Sequence, residues 1–389
     1  RKVRPGDVFV AIRGTRTDGH DHLQGALARG ALAAIVDATR VGELGEGPWL
    51  AVTDPAVALA RAADAFHGHP SRKMALVGVT GTNGKTTVTH MLEAAWQRAG
   101  IPAGVIGTLG ARHDAGGLAT AIDVGFTTPQ ADMLQGLLAM MADAGVARVA
   151  MEVSSHALDQ HRVGSIRFAV AGFTNLSQDH LDYHGTMEAY AAAKAKLFES
   201  LDPSGTAVVF GDDPAHRRML EGCAARKLVV GFEPGADIGL ERVRMSAEGS
   251  QAVLVTPDGS LPFTISLPGR FNLANALVAL GVAWAQDKDL ERQMVDYAHT
   301  PDGLQKVLEA TRDVTKGKVI LVFGCGGDRD RAKRPLMAAA ATGGADLVFV
   351  TSDNPRSEDP MAIIADMQPG LGPDARILPD RGEAILTAL

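Results

Sequence analysis

The segment Gly81-Thr82-Asn83-Gly84-Lys85-Thr86-Thr87 has the residue types and spacing of a phosphate-binding loop. An apolar β-type run, 74–79, precedes it, and apolar residues at helical spacing follow it from Val88. A strand, a glycine turn and a helix N-terminus would direct backbone N–H groups at an anion. Lys85 would neutralise the phosphate, and the Thr86 hydroxyl would bind Mg²⁺. The loop is a shortened G-x-x-G-K-T variant, and we interpret it as a nucleotide site rather than a plain glycine turn.

Two further polar groups follow apolar runs that are typical of strands. Glu152 closes the run 149–153, so it is expected at the ligand edge of a parallel sheet, where it would hold a second position on Mg²⁺. An acid that only caps a loop is the alternative. His180 and His184 lie in a polar segment after another strand; His180 is the stronger ligand candidate because it leaves a strand end in the same domain.

Lys194 occupies an unusual position in the predicted helix 187–198. Helical spacing places it on the apolar stripe that carries Tyr190 and Leu197, whereas Lys196 is expected to face solvent. A buried lysine is costly unless it has a role. With a lowered pKa it could act as a base, pair with phosphate, or react with CO₂ to form a metal-binding carbamate.

Two predicted strands near the C-terminus, 319–323 and 347–351, each run into a polar loop. If the strands are parallel, both loops open on one edge, and Arg329, Asp353 and Arg356 converge. Arginine forks suit a carboxylate and an aspartate suits an ammonium group, so the loops favour a zwitterionic amino acid. The alternative is that both loops are simply turn-forming sequences.

Length and composition limit which class of protein this chain can belong to. A chain of 389 residues is too long for one core, and its alternating β and α segments predict an α/β protein with parallel sheets. A net charge of −7 argues against a nucleic-acid partner, and two cysteines give no disulfide framework. No apolar run reaches membrane-spanning length. We therefore expect a soluble cytoplasmic enzyme.

Together the motifs resemble those of the Mur ligase family of ATP-dependent amide-forming enzymes. Besides the phosphate loop, the resemblance is carried by Met151-Glu152-Val153-Ser154-Ser155-His156, Asp179-His180-Leu181-Asp182-Tyr183-His184, Gly269-Arg270-Phe271-Asn272-Leu273-Ala274-Asn275, Asp296-Tyr297-Ala298-His299-Thr300-Pro301 and Asp353-Asn354-Pro355-Arg356.

The resemblance implies an α/β chain of three domains and spans nearly all of the sequence. These are a small N-terminal α/β domain for the UDP-substrate at 1–72, a central P-loop parallel-sheet ATPase domain at 73–290, and a C-terminal Rossmann-like domain for the amino acid at 291–389. The start of the first domain and the end of the last are expected to be missing. A Pro-Gly-Arg element expected near Gln286 is also absent, and we interpret these gaps as truncation or disorder.

The family's functional positions carry over residue by residue. The resemblance implies that ATP is bound by 81–87 together with Asn272, Asn275, Asp296 and His299. It implies that the UDP-linked substrate is bound by Thr15, Arg16, Thr17, Thr127, Thr128, Ser154, Gln160 and Arg162. It implies that the added amino acid is bound by Arg329, Asp353, Asn354, Pro355 and Arg356. Lys194 matches the family's carbamoylated lysine, which would hold Mg²⁺ together with Thr86, Glu152 and His180. The implied catalytic residues are Lys85, Glu152, His180 and Lys194.

The implied reaction adds meso-diaminopimelate to the D-glutamate γ-carboxylate of UDP-MurNAc-L-Ala-D-Glu, through an acyl phosphate formed from ATP. The Asp353-Asn354-Pro355-Arg356 loop is typical of the members that add diaminopimelate. Three alternatives stay open: the same reaction with L-lysine, folylpolyglutamate synthetase chemistry, and a P-loop protein that uses nucleotide only as a switch. We expect a monomer.

Overall fold

A computed structural model describes residues 3–14, 17–115, 120–122, 124–246, 249–286, 304–305, 308, 312, 317–327, 331–353, 355 and 357–388. The chain forms two compact units: residues 1–237 with 274–294, and residues 238–273 with 295–389. The bounds of the three domains proposed from the sequence stay a prediction.

The N-terminal part of the first unit is a small parallel sheet with its own core. Its strands pair in the order β1-β2-β3, and Ala11, Leu23, Ala34 and Val36 are buried around them. Asp54 caps the last helix of this part by accepting a hydrogen bond from the backbone N–H of Ala56 at 2.8 Å. The elements are β1 (Val8–Val10), α1 (Leu23–Ala28), β2 (Ala33–Asp37), α2 (Val41–Leu44), β3 (Trp49–Val52) and α3 (Pro55–Phe66).

A larger sheet organises the rest of the first unit. Its strands are β4 (Ala75–Thr80), β5 (Ala103–Gly107), β6 (Gly110–His113), β7 (Thr120–Ile122), β8 (Arg148–Glu152), β9 (Val170–Phe173), β10 (Thr206–Phe210) and β11 (Arg226–Gly231). They lie in the order β11-β10-β9-β4-β8-β5-β6-β7. The strands from β11 to β5 are parallel, and the edge strands β6 and β7 are antiparallel. The parallel sheet expected from the sequence is thus confirmed.

The central strands are apolar on both faces because helices cover both sides of a parallel sheet. Leu76, Val77 and Val79 of β4 are all fully buried. The helices of this part are α4 (Lys85–Arg98), α5 (Ala131–Asp143), α6 (Ser155–Asp159), α7 (Leu181–His184), α8 (Met187–Glu199), α9 (His216–Leu220) and α10 (Arg270–Gln286). The first residues of α10 belong to the second unit.

The second unit begins with an antiparallel meander of β12 (Ile238–Ser246), β13 (Gly249–Thr256) and β14 (Gly259–Ile265). The sequence analysis did not anticipate this meander. Its signal is the Pro257-Asp258 turn, followed by Gly259, between alternating apolar residues, where Gly259 has a φ of 144°.

The second unit also contains a parallel sheet with the order β15-β16-β17. Its elements are β15 (Ile320–Phe323), α11 (Lys333–Gly344), β16 (Leu347–Val350), α12 (Pro360–Met367), β17 (Arg376–Ile377) and α13 (Arg381–Ala388). Because β15 and β16 are parallel, the loops that follow them open on the same edge, as predicted. None of the helices in the described ranges is long and apolar enough to span a membrane.

Candidate active site

The phosphate loop connects β4 to α4. Gly81 and Gly84 have φ angles of 143° and 88°, which favour glycine. A Cβ at Gly81 would also collide with Thr174 Oγ1, and one at Gly84 with Asn275 Oδ1. Gly84 is the N-cap of α4 and supplies no side-chain cap, so the first N–H groups of the helix remain available to an anion.

The end of β9 holds the loop in this shape. The backbone N–H of Thr82 donates to Asn175 O at 2.8 Å, and that of Asn83 donates to Asn175 Oδ1 at 3.0 Å. Thr174 Oγ1 donates to Asn83 O at 2.6 Å. These contacts join residues about 90 positions apart in the sequence. The loop is therefore pre-formed by its neighbour strand, and Thr174 and Asn175 are site residues that the sequence analysis missed.

Lys85 begins α4 and folds back over the loop. Its Nζ donates to Gly81 O at 3.0 Å and to Thr82 O at 2.8 Å. Burial lowers the pKa of Lys85, while the nearby charges of Glu152 and Asp179 oppose that change. The ammonium group thus lies directly above the loop that would hold phosphate.

Glu152 ends β8 and is 1% exposed. Its Oε1 accepts hydrogen bonds from Thr86 Oγ1 and from the backbone N–H of Thr108, both at 2.9 Å, and its Oε2 accepts from Thr108 Oγ1 at 3.1 Å. The sequence analysis paired Glu152 with Thr86, and the structure brings these two groups together. Thr108 was missed, because nothing in its local sequence sets it apart.

A hydroxyl next to a carboxylate suits Mg²⁺, which prefers oxygen ligands and keeps water or phosphate in its other positions. Within the described ranges, no three His, Cys, Asp or Glu side chains are grouped so that they could hold a metal by themselves. The residues present therefore fit a metal that Thr86 and Glu152 hold together with substrate phosphates.

Lys194 is 1% exposed on the buried face of α8, with Tyr190, Leu197 and Phe198, as its helical spacing predicts. Its Nζ donates to Gly81 O at 2.8 Å and lies 4.4 Å from the centroid of the Tyr190 ring. Burial, followed by the charge of Lys85, lowers the pKa of Lys194 to about 7. Lys194 and Lys85 thus donate to the same carbonyl oxygen, Gly81 O, although they lie far apart in the sequence.

His180 is the N-cap of α7 in a left-handed conformation, with a φ of 52°. Its Nε2 lies 3.4 Å from Asp179 Oδ2, and its ring packs edge-on against His156 at 4.7 Å between centroids. The same ring is 6.2 Å from that of Tyr190, which Lys194 also contacts. His180 and Lys194 therefore both lie beside the Tyr190 ring.

His184, the weaker candidate from the sequence, is used differently. Its Nε2 forms a 2.9 Å hydrogen bond with Ser155 Oγ. Burial lowers the pKa of both His184 and His156, so both rings favour the neutral form. The His156 ring packs against both His180 and His184, and the His184 ring also packs against Tyr190.

Five residues assigned to the UDP-substrate form one hydrogen-bonded group beside Glu152. Thr128 Oγ1 donates to Glu152 O at 2.9 Å and accepts from Ser154 N at 3.0 Å. Arg162 Nη1 donates to Thr128 O at 2.9 Å. The other members are Gln160, which accepts from Arg162 Nη2 at 2.7 Å, and Thr127, which accepts from Thr108 Oγ1 at 3.2 Å.

A second layer supports Gln160 and was missed from the sequence. Tyr183 Oη accepts from Gln160 Nε2 at 3.2 Å and donates to Asp159 Oδ2 at 3.0 Å. Asp159 Oδ1 also pairs with Lys196 Nζ at 2.8 Å. The side chain of Lys196 is 42% exposed, so the predicted contrast with Lys194 is confirmed, although Lys196 has an ionic partner.

The remaining predicted residues are distributed as follows. Thr17 O accepts from Gly14 N at 2.9 Å in the N-terminal loop, and Asn275 lies against Gly84. Asn272 Nδ2 donates to Pro268 O at 2.8 Å in the second unit. Asp353 pairs with Arg381 Nη1 at 2.7 Å, so its carboxylate already has a cation. Seven residues predicted for the site lie outside the described part of the chain: Thr15, Arg16, Asp296, His299, Arg329, Asn354 and Arg356.

A glycine loop, a lysine and a strand-end acid on a parallel sheet define a P-loop nucleotide-binding α/β enzyme. Three family models match the chain: "Mur ligase family, catalytic domain" over residues 1–67, "Mur ligase middle domain" over 79–283 and "Mur ligase, glutamate ligase domain" over 284–389. The chain belongs to the Mur ligase family, and it is an ATP-dependent amide ligase.

The similar curated proteins share one description. The UDP-N-acetylmuramoyl-L-alanyl-D-glutamate--2,6-diaminopimelate ligase of Gloeobacter violaceus is 45% identical over 419 residues, which cover 100% of this chain and 84% of that protein. The enzyme of the same name from Geobacter metallireducens is 44% identical over 403 residues, covering 95% and 78%.

A solved structure of a ligase of this name aligns with a TM-score of 0.63 and 33% identity, covering 99% of this chain and 84% of that one. Mycobacterium tuberculosis folylpolyglutamate synthase aligns with a TM-score of 0.52 at 21% identity, covering 86% and 87%, which shows a common fold alone.

Proposed function

We propose that this enzyme joins 2,6-diaminopimelate, as its meso form, to UDP-MurNAc-L-Ala-D-Glu at the expense of ATP, as a step in peptidoglycan precursor synthesis. The observation that carries the proposal is the continuous hydrogen-bonded path from the phosphate loop to the substrate group. It runs from Thr86 through the Glu152 carboxylate and carbonyl to Thr128 and Ser154. A phosphoryl donor and an acceptor carboxylate bound along this path would meet at Glu152.

The chemistry follows from the weakness of a carboxylate as an acyl donor. The γ-carboxylate oxygen of D-glutamate attacks the γ-phosphorus of ATP, which forms an acyl phosphate and releases ADP. An amine nitrogen of diaminopimelate then attacks the acyl carbon. The tetrahedral intermediate loses phosphate and the nitrogen loses a proton, which leaves the amide. Charge neutralisation and positioning supply most of such catalysis, and Lys85 provides the fixed cation.

Mg²⁺ is the cofactor, and Thr86 and Glu152 would hold it. When bound, the ion neutralises the phosphates of ATP. His180 and a carbamoylated Lys194 are the two further ligands we propose. A lysine with a pKa of about 7 is largely neutral above that pH, and a neutral amine nitrogen can add to CO₂ with loss of a proton. The product is an anion close to Lys85, which would remove the repulsion between two buried ammonium groups.

ATP binding is assigned to 81–87, with support from Asn272, Asn275, Asp296 and His299. The contact between Asn275 and Gly84 supports this assignment for Asn275. The residues proposed for the UDP-linked substrate are Thr15, Arg16, Thr17, Thr127, Thr128, Ser154, Gln160 and Arg162. We further propose that the enzyme acts in the cytoplasm as a monomer.

The amino acid is assigned to the loops that follow β15 and β16. Arg356 would bind the distal carboxylate of diaminopimelate, and Arg329, Asp353, Asn354 and Pro355 would complete the site. L-lysine lacks that carboxylate, so it would leave the arginine unpaired, and unpaired polar groups discriminate strongly.

The decisive test is phosphate release by the purified enzyme with ATP, Mg²⁺ and UDP-MurNAc-L-Ala-D-Glu, with each of a panel of amino acids. Release that requires meso-diaminopimelate, with a tripeptide product seen by mass spectrometry, supports the proposal. Equal turnover with L-lysine would refute the assigned specificity. Turnover only with a folate and glutamate would favour the folylpolyglutamate synthase alternative, and release without any acceptor would favour a nucleotide switch.

A further inference from the structure

Arg334, near the start of α11, is 2% exposed. The proposed reaction does not explain why a charged side chain is buried there. Its Nη1 donates to Glu358 Oε2 at 2.9 Å and its Nη2 to Glu358 Oε1 at 2.6 Å, in a two-pronged fork. Nη1 also donates to Asp366 Oδ2 at 2.7 Å. The hydrogen bonds from Glu358 and Asp366 raise the pKa of Arg334, so it stays charged at every physiological pH.

The position of Glu358 links Arg334 to the loop after β16. Glu358 lies five residues after Asp353, in the loop between β16 and α12, and its backbone N–H donates to Pro355 O at 2.9 Å. Arg334 Nη2 also lies 3.4 Å from Gly326 O, in the loop after β15. A single buried side chain therefore contacts both loops to which the amino acid is assigned.

The two loops also meet through their backbones. A Cβ added at Gly324 would collide with Thr351 O and approach Asp353 N to 3.0 Å. One added at Gly327 would collide with Pro355 O. No side chain separates the loops at these points, so a displacement of one loop is passed directly to the other.

Stability alone does not require an ionic group here. Burying a guanidinium and carboxylates costs desolvation, and apolar side chains of similar volume often stabilise a protein equally well. A rigid fork onto one carboxylate instead fixes direction as well as distance, which a lysine ammonium does not. Arg331 and Arg334 together balance Glu358 and Asp366, so the cluster carries no net charge.

We propose that Arg334 is a positioning residue for the amino-acid substrate: its fork onto Glu358, whose backbone N–H donates to Pro355 O, fixes these residues after β16 where the loop can recognise diaminopimelate. The proposal rests on the function proposed above, in which that loop binds the amino acid. It predicts that weakening the fork impairs use of the amino acid without impairing use of ATP.

The test compares Arg334→Lys with Arg331→Lys in the full chain. Arg331 also forms two hydrogen bonds with Asp366, at 2.9 and 3.0 Å, but its side chain is 65% exposed and these bonds do not involve Glu358. We expect Arg334→Lys to raise the KM for meso-diaminopimelate about tenfold or more, with the KM for ATP within about twofold of wild type. Arg331→Lys should leave both constants near wild type. If Arg334→Lys does not fold, Glu358→Gln tests the same fork from its other end.

Thermal unfolding of each variant distinguishes positioning from simple stabilisation. A lower Tm with all KM values unchanged, or with those for ATP and diaminopimelate raised equally, would overturn the positioning role. If the wild-type enzyme uses a different amino acid, the proposed substrate is wrong, and the same variants are then measured with the amino acid it does use. A selective rise in that KM would still support the role of Arg334, and no rise would refute it.

Discussion

Replacement of Lys194 tests the most unusual chemical group in the site. A lysine at its ordinary pKa of 10.5 is neutral in only about one molecule in three thousand at pH 7, whereas at a pKa of about 7 roughly half are neutral. The amine that can react with CO₂ is thus about a thousandfold more abundant than on a surface lysine. We therefore expect the wild-type enzyme to carry a carbamate at neutral pH.

The sign of the pH dependence follows from that pKa. Below about pH 7 Lys194 takes up a proton and the carbamate is lost, so activity should fall as the pH is lowered through this value. The stability of the unmodified protein should also rise with pH, but over a higher interval. The unfolded chain binds more protons than the folded one between about pH 7 and 10.5, so stability should rise with pH across that interval.

Lys194→Ala should lower kcat by about a hundredfold or more, because the site loses a fixed charge next to the transferred phosphoryl group. Lys196→Ala, two residues along the same helix, should cost no more than about fivefold, since its pair with Asp159 is partly exposed. The assays are coupled ADP release and ¹³C NMR of enzyme equilibrated with labelled bicarbonate. Added short carboxylic acids should partly restore Lys194→Ala. Equal losses from the two substitutions, or no carbamate signal in wild type, would refute the reasoning.

Three further substitutions test the other parts of the site. Lys85→Ala should reduce turnover by several powers of ten, because the phosphoryl group loses its nearest cation, and near wild-type ligation would contradict the phosphate-loop assignment. Glu152→Gln keeps the shape of the side chain but removes its charge; it should raise the Mg²⁺ concentration needed for half-maximal rate about tenfold or more, and an unchanged titration would exclude Glu152 as a ligand. Arg356→Ala should raise the KM for meso-diaminopimelate far more than that for ATP, as measured by ADP release, and equal effects on the two constants would place Arg356 outside the amino-acid site.

Much of the fold was readable from local pattern. The apolar runs that predicted strands at 74–79, 149–153, 319–323 and 347–351 correspond to β4, β8, β15 and β16, with ends shifted by at most one residue. The meander of β12 to β14 was not predicted, because alternating strands and helices dominate the rest of the chain. A hairpin joins neighbours in sequence, so its Pro257-Asp258 turn, followed by Gly259, was a sufficient local signal.

The sequence by itself determined which side chains are chemically unusual. The order of glycines and Lys85 defines a phosphate loop, and the helical period alone places Lys194 on the buried face of α8. These properties depend on residues within about two helical turns, so no knowledge of distant segments was needed.

Only the tertiary structure decided which of these groups act together. Glu152 meets Thr86 across 66 residues because β8 lies next to β4, and Asn175 holds the phosphate loop because β9 lies on the other side. Arg334 joins two loops of the second unit in the same way. The order of strands in a sheet is set by the packing of the whole chain, and no local pattern encodes it.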